Sequence, residues 1–372
     1  MKHISCTCDA LLKPVKTVSG IVERNQSLPV VSNILFEQDG ENVTFSTTDL
    51  DIQIRTSASV GSTDSKGNFT ISAQKLSDIL NNLKGSDAVE IDVEDDGRAL
   101  LSCPSGQFAM QTLPARDFPV IRGADWLATF VTPAKSLRYL LAMTSFAMAN
   151  HDIRYYLNGA LFEAEKNELR CVATDTHRLA YCDTTVDSLN IEKPVKAILP
   201  RKTVRELLRI LPEDDTAITV KLSNTQCAFE FLGIEFLSKL IDGNFPDYKR
   251  VMPTPETNPQ PVAINREALL AALRRVQILT NEKFHGVRWL LAENHLQIQG
   301  TNAEQEEANQ NLSIDWKWPE LDIGFNITYV LDVLSNLKNS EVMFYFAATP
   351  KSVLVTMPES MNFRYVIMPM RI

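Results

Sequence analysis

The 372-residue sequence has no apolar run near the roughly 18 residues a membrane span needs. Its start, MKHISCTCDALLKPVK, lacks the apolar stretch of a secretory signal, so a cytoplasmic protein with no membrane partner is expected. There is no CxxC: the six cysteines (6, 8, 103, 171, 182, 227) offer one CxC pair, which suits neither a zinc nor a redox site, and free thiols with no metal are expected. A P-loop and a GxGxxG are both missing, so no nucleotide cofactor is expected. A basic excess is missing too. With 37 Lys/Arg against 46 Asp/Glu the net charge is −9, which taken alone argues against broad nucleic-acid binding. What is present is 44% hydrophobic content, ample for packed cores, in a length that suggests two or three domains of about 150 residues each.

The sequence repeats itself. Phe118 of DFPVI and Phe245 of NFPDY lie 127 residues apart, and a further 127 reaches the last residue. Thr48-Asp49, Thr174-Asp175 and Thr301-Asn302 keep nearly the same period, as do Leu35, Leu161 and Leu290. Three diverged copies of one domain are expected, 1–125, 126–256 and 257–372, the last boundary in the proline-rich MPTPETNPQP. Each copy opens on a helical stretch: LLKPVKTVSGIVER, KSLRYLLAMTSFAM, then REALLAALRRVQIL. Alternating strands follow, then a second helix: SAQKLSDILNNL, LPRKTVRELLRIL or ITYVLDVLSNL. Ser72 and Asn326 suit N-caps, and Pro200 suits a first helical turn. The class is α+β, with two helices packed on antiparallel sheets in each copy.

Charge is segregated along this pattern. The six helical windows hold 15 Lys/Arg and 5 Asp/Glu, +10 in all, so the rest of the chain carries −19. If the helices line one wall, six of them about 10 Å wide leave roughly 9 Å clear inside a circle, and twelve leave roughly 28 Å. One chain is too small to encircle a duplex; two suffice.

NHDIRYYLNG (150–159), ATDTHRLA (173–180), DGNFPDYKRVMP (242–253), NEKFHGVR (281–288) and the terminal YVIMPMRI together resemble the bacterial DNA polymerase III β-subunit family, the replicative sliding clamps. The match spans all three copies. The resemblance implies three tandem DNA-clamp domains per chain and a ring built as a head-to-tail homodimer. It implies a non-catalytic accessory subunit that encircles double-stranded DNA without reading its sequence and tethers the DNA polymerase III α subunit. The clamp loader, other polymerases and repair proteins are further implied partners, through short peptides that carry a glutamine and a Leu/Phe pair. For the peptide groove it implies Arg154, Leu157, Thr174, Thr176, His177, Arg178, Leu179, Pro246, Arg250, Val251, Ser352, Val366, Met368, Pro369, Met370, Arg371 and Ile372. The family commonly has glycine where this chain has Thr176. For DNA it implies Arg24, Lys84, Arg138, His151, Tyr155, Tyr156, Arg201, Lys202 and Arg205. For the dimer interface it implies Phe108, Ile278 and Leu279, with Lys75 facing Glu304, Glu306 and Glu307.

Methionines suit a groove for varied guests, since unbranched, polarizable side chains repack easily. The terminal run also has a plainer reading, as a final strand that Pro369 ends. A competing enzyme reading takes Asp175 and His177 as an acid/base pair on one face of a strand-like segment. No nucleophile or second carboxylate at suitable spacing accompanies them, so a structural or peptide-contacting histidine is expected. A third reading, a peptide scaffold that ignores DNA, leaves the basic helices without a purpose.

Overall fold

The computed structural model describes residues 2–23, 28–94, 97–187, 189, 191–349 and 351–372. Six α-helices lie among them: α1 (Cys8–Ser19), α2 (Ala73–Asn81), α3 (Ala134–Ser145), α4 (Arg201–Ile210), α5 (Arg266–Gln277) and α6 (Ile327–Asn336). Ser72 and Asn326 cap α2 and α6 through their side chains, as the sequence suggests, and Asn265 caps α5 in the same way. Several helix boundaries differ from expectation. The first helix begins at Cys8, not near Leu11, because the strand Lys2–Thr7 runs straight into it and the Thr7 hydroxyl accepts from Ala10. It stops at Gly20, short of Arg24, which falls outside the described residues. Pro200 is the last residue of the strand Ile191–Pro200, and α4 starts one residue later.

The chain divides into two compact units, residues 1–135 with 205–240, and residues 136–204 with 241–372. The division passes through the middle of the second copy because sheets run across copy boundaries. In the first unit, strands 66–72, 33–39, 42–48 and 52–59 of copy one continue into 234–239, 226–231, 217–222 and 128–133 of copy two, forming one eight-stranded sheet. The join is an antiparallel pairing of Ile52–Ser59 with Ile234–Lys239. The second unit repeats the device. Arg178–Thr185 of copy two pairs with Ser360–Ile367 of copy three, and again eight strands make one sheet. Each unit also holds a four-stranded sheet, ordered 2–7, 88–93, 98–103, 106–111 in the first and 307–313, 295–301, 286–292, 321–326 in the second.

Helices cover these sheets through their apolar faces. In the first unit α1 packs on α2, burying Leu11, Val15, Val18, Leu76 and Leu80. In the second, α5 packs on α6 over a core that includes Trp289, Phe325, Phe344 and Phe346. Each burial of such a side chain contributes about 1.5–3 kcal/mol.

The sequence repeat extends to individual hydrogen bonds. The Thr48 hydroxyl accepts from the Leu50 N–H and donates to the Ile52 carbonyl, while Asp49 Oδ1 accepts from the N–H groups of Asp51 and Ile52. Thr174 and Asp175 make the same four bonds to Thr176, Arg178 and His177. Both turns need a left-handed residue at their centre, and they place Leu50 at φ 79° and Thr176 at φ 76°. That conformation suits glycine and costs other residues, β-branched ones most. Thr176→Gly is therefore expected to raise stability by about 1 kcal/mol in urea unfolding; an unchanged or lower midpoint would mean the turn carries no such strain.

Candidate functional site

The Thr174–Arg178 turn sits between strands Glu168–Thr174 and Arg178–Thr185, so Asp175 and His177 do not share the face of a strand as the enzyme reading requires. Asp175 is committed to the turn: one carboxylate oxygen accepts two backbone N–H groups and the other accepts from Arg178 Nε at 3.0 Å. The Arg178 guanidinium also donates to Asp332 on α6 and to the Phe146 carbonyl at 2.7 Å, and lies 4.4 Å above the Tyr329 ring. His177 is exposed, its ring stacked 6.5 Å from Tyr329. A proton-transfer pair has no room in this arrangement, since the aspartate is already occupied by an arginine and two amides. Among the described residues no group of three or more His, Cys, Asp or Glu side chains is placed to hold a metal ion. No helix among them is long and apolar enough to cross a membrane.

The turn forms one wall of a cavity of about 150 Å³. Thr174, Thr176, Arg178, Leu179, Pro246, Val251, Val366 and Met368 line it, all drawn from the expected groove, together with Asp247 and Tyr248, which were not expected there. The segment 245–251 supplies the opposite wall, and Tyr248 fixes it. The Tyr248 ring packs among Leu161, Val172, Leu179, Tyr181, Ile198 and Val366, and its hydroxyl donates to Glu163 at 2.8 Å. Glu163 is almost fully buried and also pairs with Lys196 at 2.8 Å. Burial alone would raise its pKa, but Lys196 and Tyr248 outweigh that and hold the carboxyl below its usual range.

A second, wider cavity of about 420 Å³ adjoins the first, sharing Val251 and Met368 with it. Arg250 and Ser352 line it as expected. Met252, Pro253, Thr257, Asn258, Ala347, Thr349 and Lys351 line it as well, and only the first two belong to a motif that marked the site. Arg154 stands at the rim, paired with Asp152 and donating to Thr176 Oγ1 at 3.5 Å. Leu157 is fully buried and lines neither cavity. Pro369, Met370, Arg371 and Ile372 do not line them either. Met370 and Ile372 turn away to pack beside Gly324 and Gly286.

Other expected residues are spread over both units. In the first, Lys84 and Arg205 are exposed. In the second, His151 (φ 58°) and Tyr155 are exposed on the loop before strand Gly159–Lys166, whereas Tyr156 packs against the cluster around Tyr248. Arg138 and Lys202 are half-buried. Arg201 donates to the carbonyls of Met148 and Ala149, so its guanidinium braces the start of that loop. Phe108 is 38% exposed on the end strand 106–111, and Lys75 on α2 of the same unit is exposed. In the second unit Ile278 is 77% exposed, Leu279 is half-buried, and Glu304, Glu306 and Glu307 are exposed.

Comparison with known proteins joins these features. The family models for the N-terminal, central and C-terminal domains of the DNA polymerase III beta subunit match residues 2–122, 132–247 and 249–371. The beta sliding clamp of Pseudomonas putida is 38% identical over 370 residues, covering 100% of both chains. That of Escherichia coli K12 is 38% identical over 97% of this chain and 98% of its own. A crystal structure of the Pseudomonas aeruginosa DNA polymerase III subunit beta superposes with a TM-score of 0.93 at 37% identity, over all of both chains. A Bartonella birtlesii sliding clamp bound to griselimycin superposes with a TM-score of 0.93 at 30% identity, also over all of both chains. With three domain models in series and relatives aligned from end to end, the chain belongs to the DNA polymerase III β-subunit family of sliding clamps.

Proposed function

We propose that two copies of this chain close head to tail around duplex DNA and slide along it, tethering the replicative polymerase and other partners that dock short peptides in the groove beside Met368. The role is a non-catalytic one, exercised in the cytoplasm. The carrying observation is the pattern of sheet edges. Within the chain, strand 52–59 pairs with 234–239, and 178–185 pairs with 360–367. The corresponding strands of the outer copies, 307–313 and 106–111, stand at the ends of their four-stranded sheets. Their edges are complementary by the rule that joined the other copies, and exposed edges favour association. Pairing 307–313 of one chain with 106–111 of another makes a third junction of the same kind. Repeated once more it closes a two-fold ring of six domains. Phe108, Ile278 and Leu279 then supply apolar surface to this junction, and Lys75 opposes Glu304, Glu306 and Glu307.

A closed ring holds DNA by topology. Its phosphate contacts need only be sparse and weak, from Lys84, Arg138, Lys202, Arg205 and the His151–Tyr156 loop, with the Arg201 brace beneath that loop. The test is retention on a nicked circular plasmid after loading by a cognate clamp loader with ATP. Release on cutting the plasmid once is expected; equal retention on circular and linear DNA would refute threading.

Two further outcomes are expected. Charging the junction with Ile278→Asp and Leu279→Asp converts the dimer to monomer in sedimentation, because two apolar side chains then carry buried like charges; an unchanged mass removes these residues from the interface. Deleting Met368–Ile372 abolishes binding of a labelled peptide carrying the glutamine and Leu/Phe pair, with the dimer intact. Retained affinity in a fluorescence anisotropy titration would move the groove elsewhere.

A further inference from the structure

The chain does not end at its last long strand. After Ile367 the Met368 N–H donates to the His177 carbonyl at 2.9 Å, which extends the pairing of the 178–185 and 360–367 strands by one step. Pro369 has no N–H to give. The Met370 N–H then donates to the Gly324 carbonyl at 2.9 Å, as an antiparallel bridge to the outer edge of strand Leu321–Asn326. The tail therefore leaves the eight-stranded sheet of the second unit and fastens onto its four-stranded sheet. Two backbone hydrogen bonds bracket Pro369 and fix Met368, which with Val251 lines both cavities.

The second fastening needs glycine. A Cβ on Gly324 would lie 2.5 Å from the Met370 carbonyl oxygen and 2.6 Å from two carbons of Ile372. The nearest of these is backbone, which cannot swing aside as a side chain does. Gly286, on the neighbouring strand, also faces the tail, but a Cβ there would meet Ile372 at 3.6 Å and Met370 Cε at 3.8 Å, ordinary contact.

We infer that Gly324 is a positioning residue for the peptide groove, acting at a distance by seating the C-terminal tail so that Met368 is held where it lines both cavities. This rests on the groove being the peptide site. Gly324 touches neither cavity, so it acts only through the tail. Losing the bridge frees the residues after Met368 and adds an ordering cost to every peptide that needs Met368 in place.

The test uses the full-length chain, a labelled peptide with the glutamine and Leu/Phe pair, and methionine-methyl NMR. Gly324→Ala is expected to weaken the peptide about five- to tenfold and to move the Met368 and Met370 methyl signals, while Gly286→Ala leaves affinity unchanged. Met370→Pro, which removes the donor to Gly324 and fixes the local φ, is expected to reproduce the loss beyond that of Met370→Ala, which keeps the donor. This pair keeps the inference testable if Gly324→Ala folds poorly. Equal affinity for Met370→Pro and Met370→Ala would overturn the inference, as would a Gly286→Ala loss as large as that of Gly324→Ala. Failure of the groove reading looks different: wild-type protein then gives no anisotropy change with peptide, and the inference falls with it.

Discussion

Everything in this chain depends on edge-strand pairing between copies of one domain. A sheet edge presents a row of unsatisfied amide and carbonyl groups, and a protein must pair it, cover it or pay in aggregation. Here four of the edges are satisfied inside the chain, by Ile52–Ser59 with Ile234–Lys239 and by Arg178–Thr185 with Ser360–Ile367. The compact units follow from this. They are cut through the second copy because backbone bonds across each junction tie half of that copy to each neighbour.

The cavity beside the Thr174–Arg178 turn is a by-product of such a junction. Where two copies meet, the connecting segment must cross the seam, and it leaves a trough between itself and the Thr-Asp turn. The two junctions treat that trough differently. At the first, Gln53 both accepts from the Ile121 N–H at 2.8 Å and donates to its carbonyl at 3.4 Å, so the connector is stitched to the strand beneath it. At the second, the residue in the same place after the turn is Leu179, which offers apolar surface to the cavity instead. The connector there is anchored one step away, by the Tyr248 hydroxyl on buried Glu163. Both troughs stay open, the first as a cavity of about 420 Å³ lined by Gln53, Arg55, Lys221 and Glu230, so the difference between them lies in how the connector is anchored and what lines the wall.

Much of this was legible in the sequence, and the rest was hidden for a physical reason. Periodicity, caps and turn residues are local signals, so the three-fold repeat and the Ser72 and Asn326 caps are legible directly, while the six helices are placed but their ends run past the observed ones. The α1 start was misplaced because Thr7 acts as a cap immediately after a strand, with no loop to announce it. Long-range partners leave no local trace. Nothing near Arg178 signals that its guanidinium is shared with Asp332, 154 residues away, and Glu163 looks like any surface strand residue until Tyr248 is folded over it. The terminal YVIMPMRI contained the reverse difficulty. Its residues divide in two: Val366 and Met368 line the cavities, while Met370 and Ile372 pack at Gly324.

The same distinction between having a charge and having it available governs the basic helices. As folded, they carry 12 Lys/Arg and 5 Asp/Glu, a smaller excess than the sequence windows suggested. Three of the arginines are also committed to carbonyls: Arg201 to Met148 and Ala149, Arg209 to Lys16 and Thr17, Arg266 to Leu334 and Asn339. A protein that held DNA by affinity alone would be poorly served by such thrift, because each phosphate contact adds to binding and to its salt dependence. A ring is in the opposite position. In a clamp every strong phosphate contact is a barrier to sliding, so arginines committed to bracing their own helices and the His151 loop fit a protein that does not hold DNA by affinity alone.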